Sequence, residues 1–327
     1  MSDIPIEAVL QDELAHGDVV LATIGPIMGH LLANHDHSLF SDEIVSRVRG
    51  MIGDIAWQLL FAEGETRALE DSRSFATNNA EMLSSMLAGH PAFLTHCHAL
   101  ALEAQLTDRL QQRCAIDGVL SPLLQALIAS DDPAISSMAM SALAAQARFM
   151  QQQRRMELPL SELPGDLFHQ ALLGLQDFVV QKNSEAGQGE GTGPDFLVEK
   201  TVQSLRASYD ESRSRLGLLT RLVMGIGNGS QAALALGHAG VAIFLSALSI
   251  ASNQDRDLTV ISTNDRQVAR LVLGLRAAGL KPKQVEEQFH TIHPDIQLPD
   301  GIEMLRSDRA ADLLGASGPT DSSWHSG

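Results

Sequence analysis

Histidine is the residue type whose spacing in this chain comes nearest to chemistry. His30, His35 and His37 fall close together with Asp36 among them, and His90, His96 and His98 surround Cys97. Imidazole, thiolate and carboxylate are the groups that zinc and iron take as ligands. On a helix, residues two apart point about 200° from one another, so His96 and His98 cannot serve one ion from the same helix. The His35-Asp36-His37 triplet can chelate from a loop, but neither a His-Glu-x-x-His nor a paired Cys-x-x-Cys stands behind it. A metal-dependent enzyme using one of these two groups is therefore one reading of the chain.

Other chemical signals give less. Gly225, Gly227 and Gly229 form a glycine run, yet a dinucleotide cradle must follow a strand and open a helix. Here an amphipathic helical pattern precedes the run, and a helix end with a loop explains it. His169 sits alone on a helical segment, as the phosphate-accepting histidine of a phosphotransfer bundle does, with no motif beside it. Cys97 and Cys114 have no activating neighbours and read as small core residues. Met138, Met140, Met150 and Met156 are core filler, or else line an adaptable protein-binding groove. Met138, Phe149, Arg154 and Arg155 are the candidate interaction residues. No catalytic residue and no cofactor is expected from these patterns.

Composition narrows the classes further. A chain of 327 residues is long enough for two domains with substantial cores. Apolar residues make up 44%, aromatics only 4%. That balance favours packed helices over a sandwich or barrel. A formal charge of −17 argues against nucleic acid and against anionic membrane surfaces as partners. Two cysteines and a start without a basic and an apolar signal region point to a reducing, cytoplasmic setting. The most apolar run, residues 240–251, is shorter than the roughly twenty residues of a membrane span and reads as a buried helix.

The elements that position these residues are helical throughout. Ser121 and Pro122 supply an N-cap and an N1 residue, and Leu123, Leu124, Leu127 and Ile128 form an apolar stripe. Asp131-Asp132-Pro133 stops that helix and caps the next, whose stripe is Ile135, Met138, Ala142, Ala145 and Phe149. Upstream, Ser41-Asp42-Glu43 opens a helix that Gly64 should end. Further helices are expected over 67–87, 91–113 and 166–182. A stripe from Val198 through Val202, Leu205, Tyr209, Leu216 and Leu219 to Val223 predicts one long helix, or a pair if the chain bends at Ser212-Arg213-Ser214. Its near-3.5 repeat would also suit a homodimer seam. Gly279 and Pro282 mark one helix end and the next start. Residues 258–261 are the single strand candidate.

The expected organisation is a partly helical segment 1–40, a HEAT-like domain 41–182, a linker 183–194, a helical bundle 195–305 and a disordered tail 306–327. Three phrases carry a family resemblance: Ser121-Pro122-Leu123-Leu124-Gln125-Ala126-Leu127-Ile128, then Arg154-Arg155-Met156-Glu157-Leu158-Pro159-Leu160, then the stretch from Val268 to Gly279. Together they resemble an uncharacterised, HEAT-like helical-repeat family of alphaproteobacteria. The resemblance implies an all-α fold of stacked helix pairs and a bacterial cytoplasmic setting, and it transfers no catalytic residue. With it, the functional expectation is an interaction, regulatory or scaffold protein with a protein partner.

Gly187, Gly189, Gly191 and Gly193, with no apolar anchor between them, cannot offset the entropy of ordering that backbone. Limited proteolysis is expected to make its first internal cut within 183–194. A first cut within 121–155 would contradict this.

Overall fold

The computed structural model describes residues 6–33, 42–185, 194–227, 230–299 and 301–317. Among these there are fifteen α-helices and no strand, so the chain is an all-α fold of stacked helices. Residues 258–261, the strand candidate, lie inside a helix, Arg256–Ile261, whose N-cap Asp255 accepts from the Asp257 and Leu258 amides. A capping carboxylate and a tertiary neighbour outweigh the β-branched composition of so short a run.

The chain divides into two compact units, but not at 183–194. One unit comprises 27–101 and 148–217, the other 1–26, 102–147 and 218–327. Two contiguous domains were expected; instead the units are interleaved, and the passages between them fall inside helices. Helical periodicity is local and carries no mark of such a change, which is why the sequence did not reveal it.

The unit of 27–101 and 148–217 is built on α2 (Asp42–Thr66), α3 (Ser72–Ala88), α7 (Gly165–Glu185) and α8 (Pro194–Ser208). On α2 the expected stripe is buried: Ile44, Val48, Met51, Ile55 and Leu59. Gly64 does not end α2. Instead it lies within α2 where α3 arrives, and a Cβ there would meet the Cβ of Ser72 at 2.9 Å. Its lack of a side chain serves close packing. The chain turns afterwards, at 67–71, and Asp71 caps α3 through the Ser74 amide.

α3 and α7 run antiparallel, since Lys182 pairs with Asn79 while Gly174 lies against Leu87. α7 and α8 do the same: Gln176 donates to Glu199 at 3.1 Å, and the rings of Phe168 and Tyr209 stack at 4.0 Å. The long stripe after residue 195 is broken, with α8 ending at Ser208 and α9 (Arg215–Ile226) starting past a short 3-10 turn capped by Asp210. Val198, Val202, Leu219 and Val223 are buried within their own units, whereas Leu205, Tyr209 and Leu216 are half-buried.

In the other unit, α11 (Leu236–Ser252) is the buried apolar helix expected at 240–251. The pair predicted at 121–155 forms as α5 (Pro122–Ile128) and α6 (Pro133–Arg155). Ser121 accepts from the Leu124 amide and Asp132 from those of Ala134 and Ile135. The main helix partner of α5 is α11. Their approach depends on Gly240, which has φ +73° and would clash with Ser121 if it carried a Cβ. α13 (Val268–Ala277) ends as read, with Gly279 at φ +87° and the Leu280 amide bonded to Leu275 O. Lys281 and Pro282 then open α14 (Pro282–Ile292).

Residues 307–316, expected within a disordered tail, form α15 (Ser307–Ala316). The buried Arg276 guanidinium donates to Leu280 O and Leu305 O, and Ser307 Oγ donates to Arg276 O at 2.6 Å. That clamp, together with burial of Ala310, Leu313 and Leu314 against α13, orders a segment whose own composition is unremarkable.

Glu103, on α4 (Pro91–Cys114), is 0% exposed and receives both ends of the Arg256 guanidinium at 3.0 Å, while Arg256 Nε reaches Ser246 Oγ at 3.2 Å. Removing one partner leaves a buried charge without its counterpart. Glu103→Met is expected to lower unfolding free energy by about 3 kcal/mol, and pairing it with Arg256→Met to recover most of the loss. Urea denaturation of the four-member cycle checks this; additive losses would contradict it.

Candidate functional site

The structure separates the histidines that the sequence groups together. His35 and His37 lie outside the described residues, as does the side chain of His30. His90 is exposed just before α4, whereas His96, Cys97 and His98 are buried within it. Among the described residues no group of three His, Cys, Asp or Glu side chains is placed to hold a metal ion. Burial alone pushes the His98 imidazole down to about 4. It is therefore neutral at pH 7, sealed among helices.

His169 is exposed on α7, with Arg206 Nη2 3.5 Å from its Nδ1. A guanidinium can only donate, so this contact favours a lone pair on Nδ1 and the proton on Nε2. Gly225 lies in the last turn of α9, and Gly227, at φ +57°, follows its end; Asn228 and Gly229 are outside the described residues.

The interaction candidates do not form one surface. Met138 is half-buried, Met140 is exposed and Met150 is buried, as three positions spread around α6 must be. Phe149 is core: the Arg215 guanidinium covers its ring at 3.6 Å from the centroid, and Glu162 accepts from the Arg215 amide at 2.7 Å. An apolar residue on a helical stripe is buried by default, and Phe149, 5% exposed, lies in the core and not on the surface. Arg154 and Arg155 are exposed on the last turn of α6, where positive charge complements the helix dipole.

A different set of residues stands out. The pairing of Gln176 with Glu199 and of Phe168 with Tyr209 fixes the antiparallel register of α7 and α8. Continued upward, that register brings Val180 level with Phe196 in the first turn of α8. Phe196 is 73% exposed and Val180 56%. Leu173 is two turns below Val180 on the same side of α7 and is also exposed. Asp177 and Lys200 stand exposed beside this apolar strip.

The core side of α7 lies beneath the strip. Lys182 packs over the rings of Phe75 and Phe178 at 5.0 and 5.6 Å, and Leu172, Leu175 and Val179 fill the core side of α7. At the other end of the hairpin, Tyr209 OH donates to Leu163 O at 2.7 Å. Burial, with Glu211, Asp166 and Asp210 nearby, pushes that phenol up to about 12, so it stays a donor. Sequence reasoning missed Phe196 because it lies beside the glycine-rich stretch and outside the stripe of α8. The available signal was its phase: an aromatic two positions ahead of Val198 falls on the opposite face.

Acid should expose the cost of the buried imidazole. The depressed His98 leaves stability intact above about pH 6.5 and removes it as pH falls from there towards 4, because only the unfolded chain then takes the proton. The loss in unfolding free energy between pH 7 and pH 4.5 is expected to be smaller in His98→Gln by about 2–3 kcal/mol. Denaturant titrations at the two pH values decide it; an unchanged pH dependence would contradict the assignment.

No protein-family model, curated protein or solved structure matches this chain.

Proposed function

We propose that this chain is a protein-interaction module of the scaffold or regulatory kind, cytoplasmic in setting and related in architecture to HEAT-like helical repeats. One observation carries the reading: a phenylalanine 73% exposed to solvent, level with an exposed valine, on two helices whose opposite faces are fully committed to a core. Scattered single apolar residues are ordinary on a protein surface, whereas an exposed aromatic level with an exposed aliphatic residue on one helical hairpin is the pattern of a binding hot spot.

The size of the strip argues for the kind of partner. A stable interface between two protein copies covers about 800 Å² on each side. Leu173, Val180 and Phe196 offer well under half of that, which suits an apolar helix or extended segment of another protein better than a second copy of this one. The competing enzyme readings lack a comparable observation. His96 and His98 are buried, and His35 and His37 lie outside the described residues.

The test is a photo-crosslinking residue placed at 196 in the host cell, with the exposed Gln203 as the control position. Position 196 is expected to give a discrete product with another protein, abolished by Val180→Asp in the folded chain. Products no different from those at 203 would overturn the proposal, and self-crosslinks alone would replace the protein partner with a dimer.

A further inference from the structure

Arg109 and Arg113 stand one turn apart near the C-terminus of α4, both exposed, where the end of α14 meets them. Arg113 Nη2 donates to the carbonyls of Thr291 and Ile292, the latter at 3.4 Å, and so ties α14 to α4. The next residue, His293, closes α14: its amide donates to Phe289 O at 2.7 Å, and the two rings lie 5.4 Å apart. All of these residues belong to the unit that contains 102–147 and 218–327.

An arginine near a helix C-terminus complements the dipole, and Arg113 does so for α14 through its two carbonyls. Arg109 is in a different position. Its guanidinium makes no hydrogen bond or ion pair among the described residues. Burial first, then the like charge of Arg113, holds it below its ordinary value, and the weaker pull of Asp265 does not restore it. Two cations one helical turn apart disfavour each other unless an anion joins them. His293 reports the same field. It is 6% exposed, and its Nε2 is closed off from solvent with no hydrogen-bond partner among the described residues. Burial, Arg109 and Arg113 disfavour a proton on that ring, and Asp265 favours one without prevailing. A guanidinium and an imidazole on different helices thus both sense positive potential, in a chain whose formal charge is −17.

We infer that the ends of α4 and α14 form a binding site for a phosphate group, held by the Arg109 and Arg113 guanidiniums. Arg113 is anchored at Nη2 by main-chain carbonyls, so its remaining N–H groups are presented from a fixed arm. Arg109 brings five N–H donors, none of them engaged. Cβ atoms about 5–6 Å apart let two planar forks take different oxygens of one tetrahedral group. A carboxylate has only two oxygens, which a single guanidinium satisfies, so the second arginine selects phosphate over it. His293 does not touch the anion, because its Nε2 is sealed. It responds through charge: once phosphate cancels the arginine field, the imidazole holds a proton more readily. The same group occurs in inorganic phosphate and in a phosphate monoester. The inference uses no residue of the Phe196 surface and stands apart from it.

The experiment is NMR of the full chain with isotope-labelled histidine and arginine, at constant ionic strength, in chloride, acetate, inorganic phosphate or methyl phosphate. The His293 signal is assigned by its loss in His293→Gln. Phosphate is expected to raise the His293 titration midpoint by about half a unit, a fraction of the effect of direct ion pairing. At pH 7 it should shift the Arg109 and Arg113 Nε–H resonances with an affinity on the order of millimolar, as so few atoms allow. Tighter binding of methyl phosphate identifies an ester as the source, and tighter binding of inorganic phosphate identifies the free ion.

Arg109→Gln is the informative variant, because its guanidinium has no bonded partner to lose. Its thermal midpoint should stay near that of the wild type, and its His293 midpoint in chloride should rise. Phosphate affinity, followed at Arg113, should fall about tenfold, the worth of one charge-assisted hydrogen bond. Arg148→Gln, at an exposed arginine of α6, should change none of these. The inference is overturned if phosphate moves His293 no more than chloride does, if acetate moves it as far, or if Arg109→Gln binds phosphate unchanged.

Discussion

Each unit of this protein closes its apolar core over one carboxylate that has no access to water, and the rest of the packing has to accommodate that charge. In one unit it is Glu103, gripped at both oxygens by Arg256. In the other it is Glu63, also 0% exposed, which accepts from Arg67 Nε at 2.5 Å and Thr201 Oγ1 at 2.6 Å. A carboxylate in such a place is tolerable only when its lone pairs are matched. The partners come from distant parts of the sequence, Thr201 on α8 for Glu63 on α2 and Arg256 on α12 (Arg256–Ile261) for Glu103 on α4. Each pair therefore fixes which helices meet and at what height. With few aromatics to fill space, helices also come together through glycine: Gly64 against Ser72, Gly174 against Leu87 and Gly240 against Ser121.

This economy has a functional corollary. The buried carboxylates Glu63 and Glu103 are consumed by helix positioning, and the histidines of α4, His96 and His98, are buried in its packing. His98 is held neutral by burial, and the buried His293 behaves likewise: burial first, then Arg109, pushes its imidazole down, against a weaker opposing pull from Asp265. The large apolar side chains that the fold leaves exposed include the strip of α7 and α8.

The sequence revealed what depends on neighbours a few residues apart. The Ser121-Pro122 and Asp132-Pro133 starts, the Gly279 turn and the Pro282 restart were all legible, because capping chemistry is local. So was the broad class, since sparse aromatics and sustained 3-4 spacing leave little besides packed helices. Contacts decided over long separations were not legible. α15 is ordered by the reach of Arg276 to Leu305 O, the interleaving of units leaves no compositional trace, and Gly64 looked like a stop although it was a packing site. The histidine groups drew attention by composition; the helix that carries His96 and His98 turns them into its own packing.

The claim that the interior is structural and the surface carries the function is most directly tested by a saturation library in the host cell, with protein abundance and growth read separately. Substitutions at Glu63 and Glu103 should lower abundance and growth together. Charged residues at Phe196 and Val180 should leave abundance intact and lower growth, while the exposed Leu69 and Met82 tolerate the same changes. Growth defects at normal abundance that concentrate on His96 and His98, with Phe196 freely replaceable, would contradict the account.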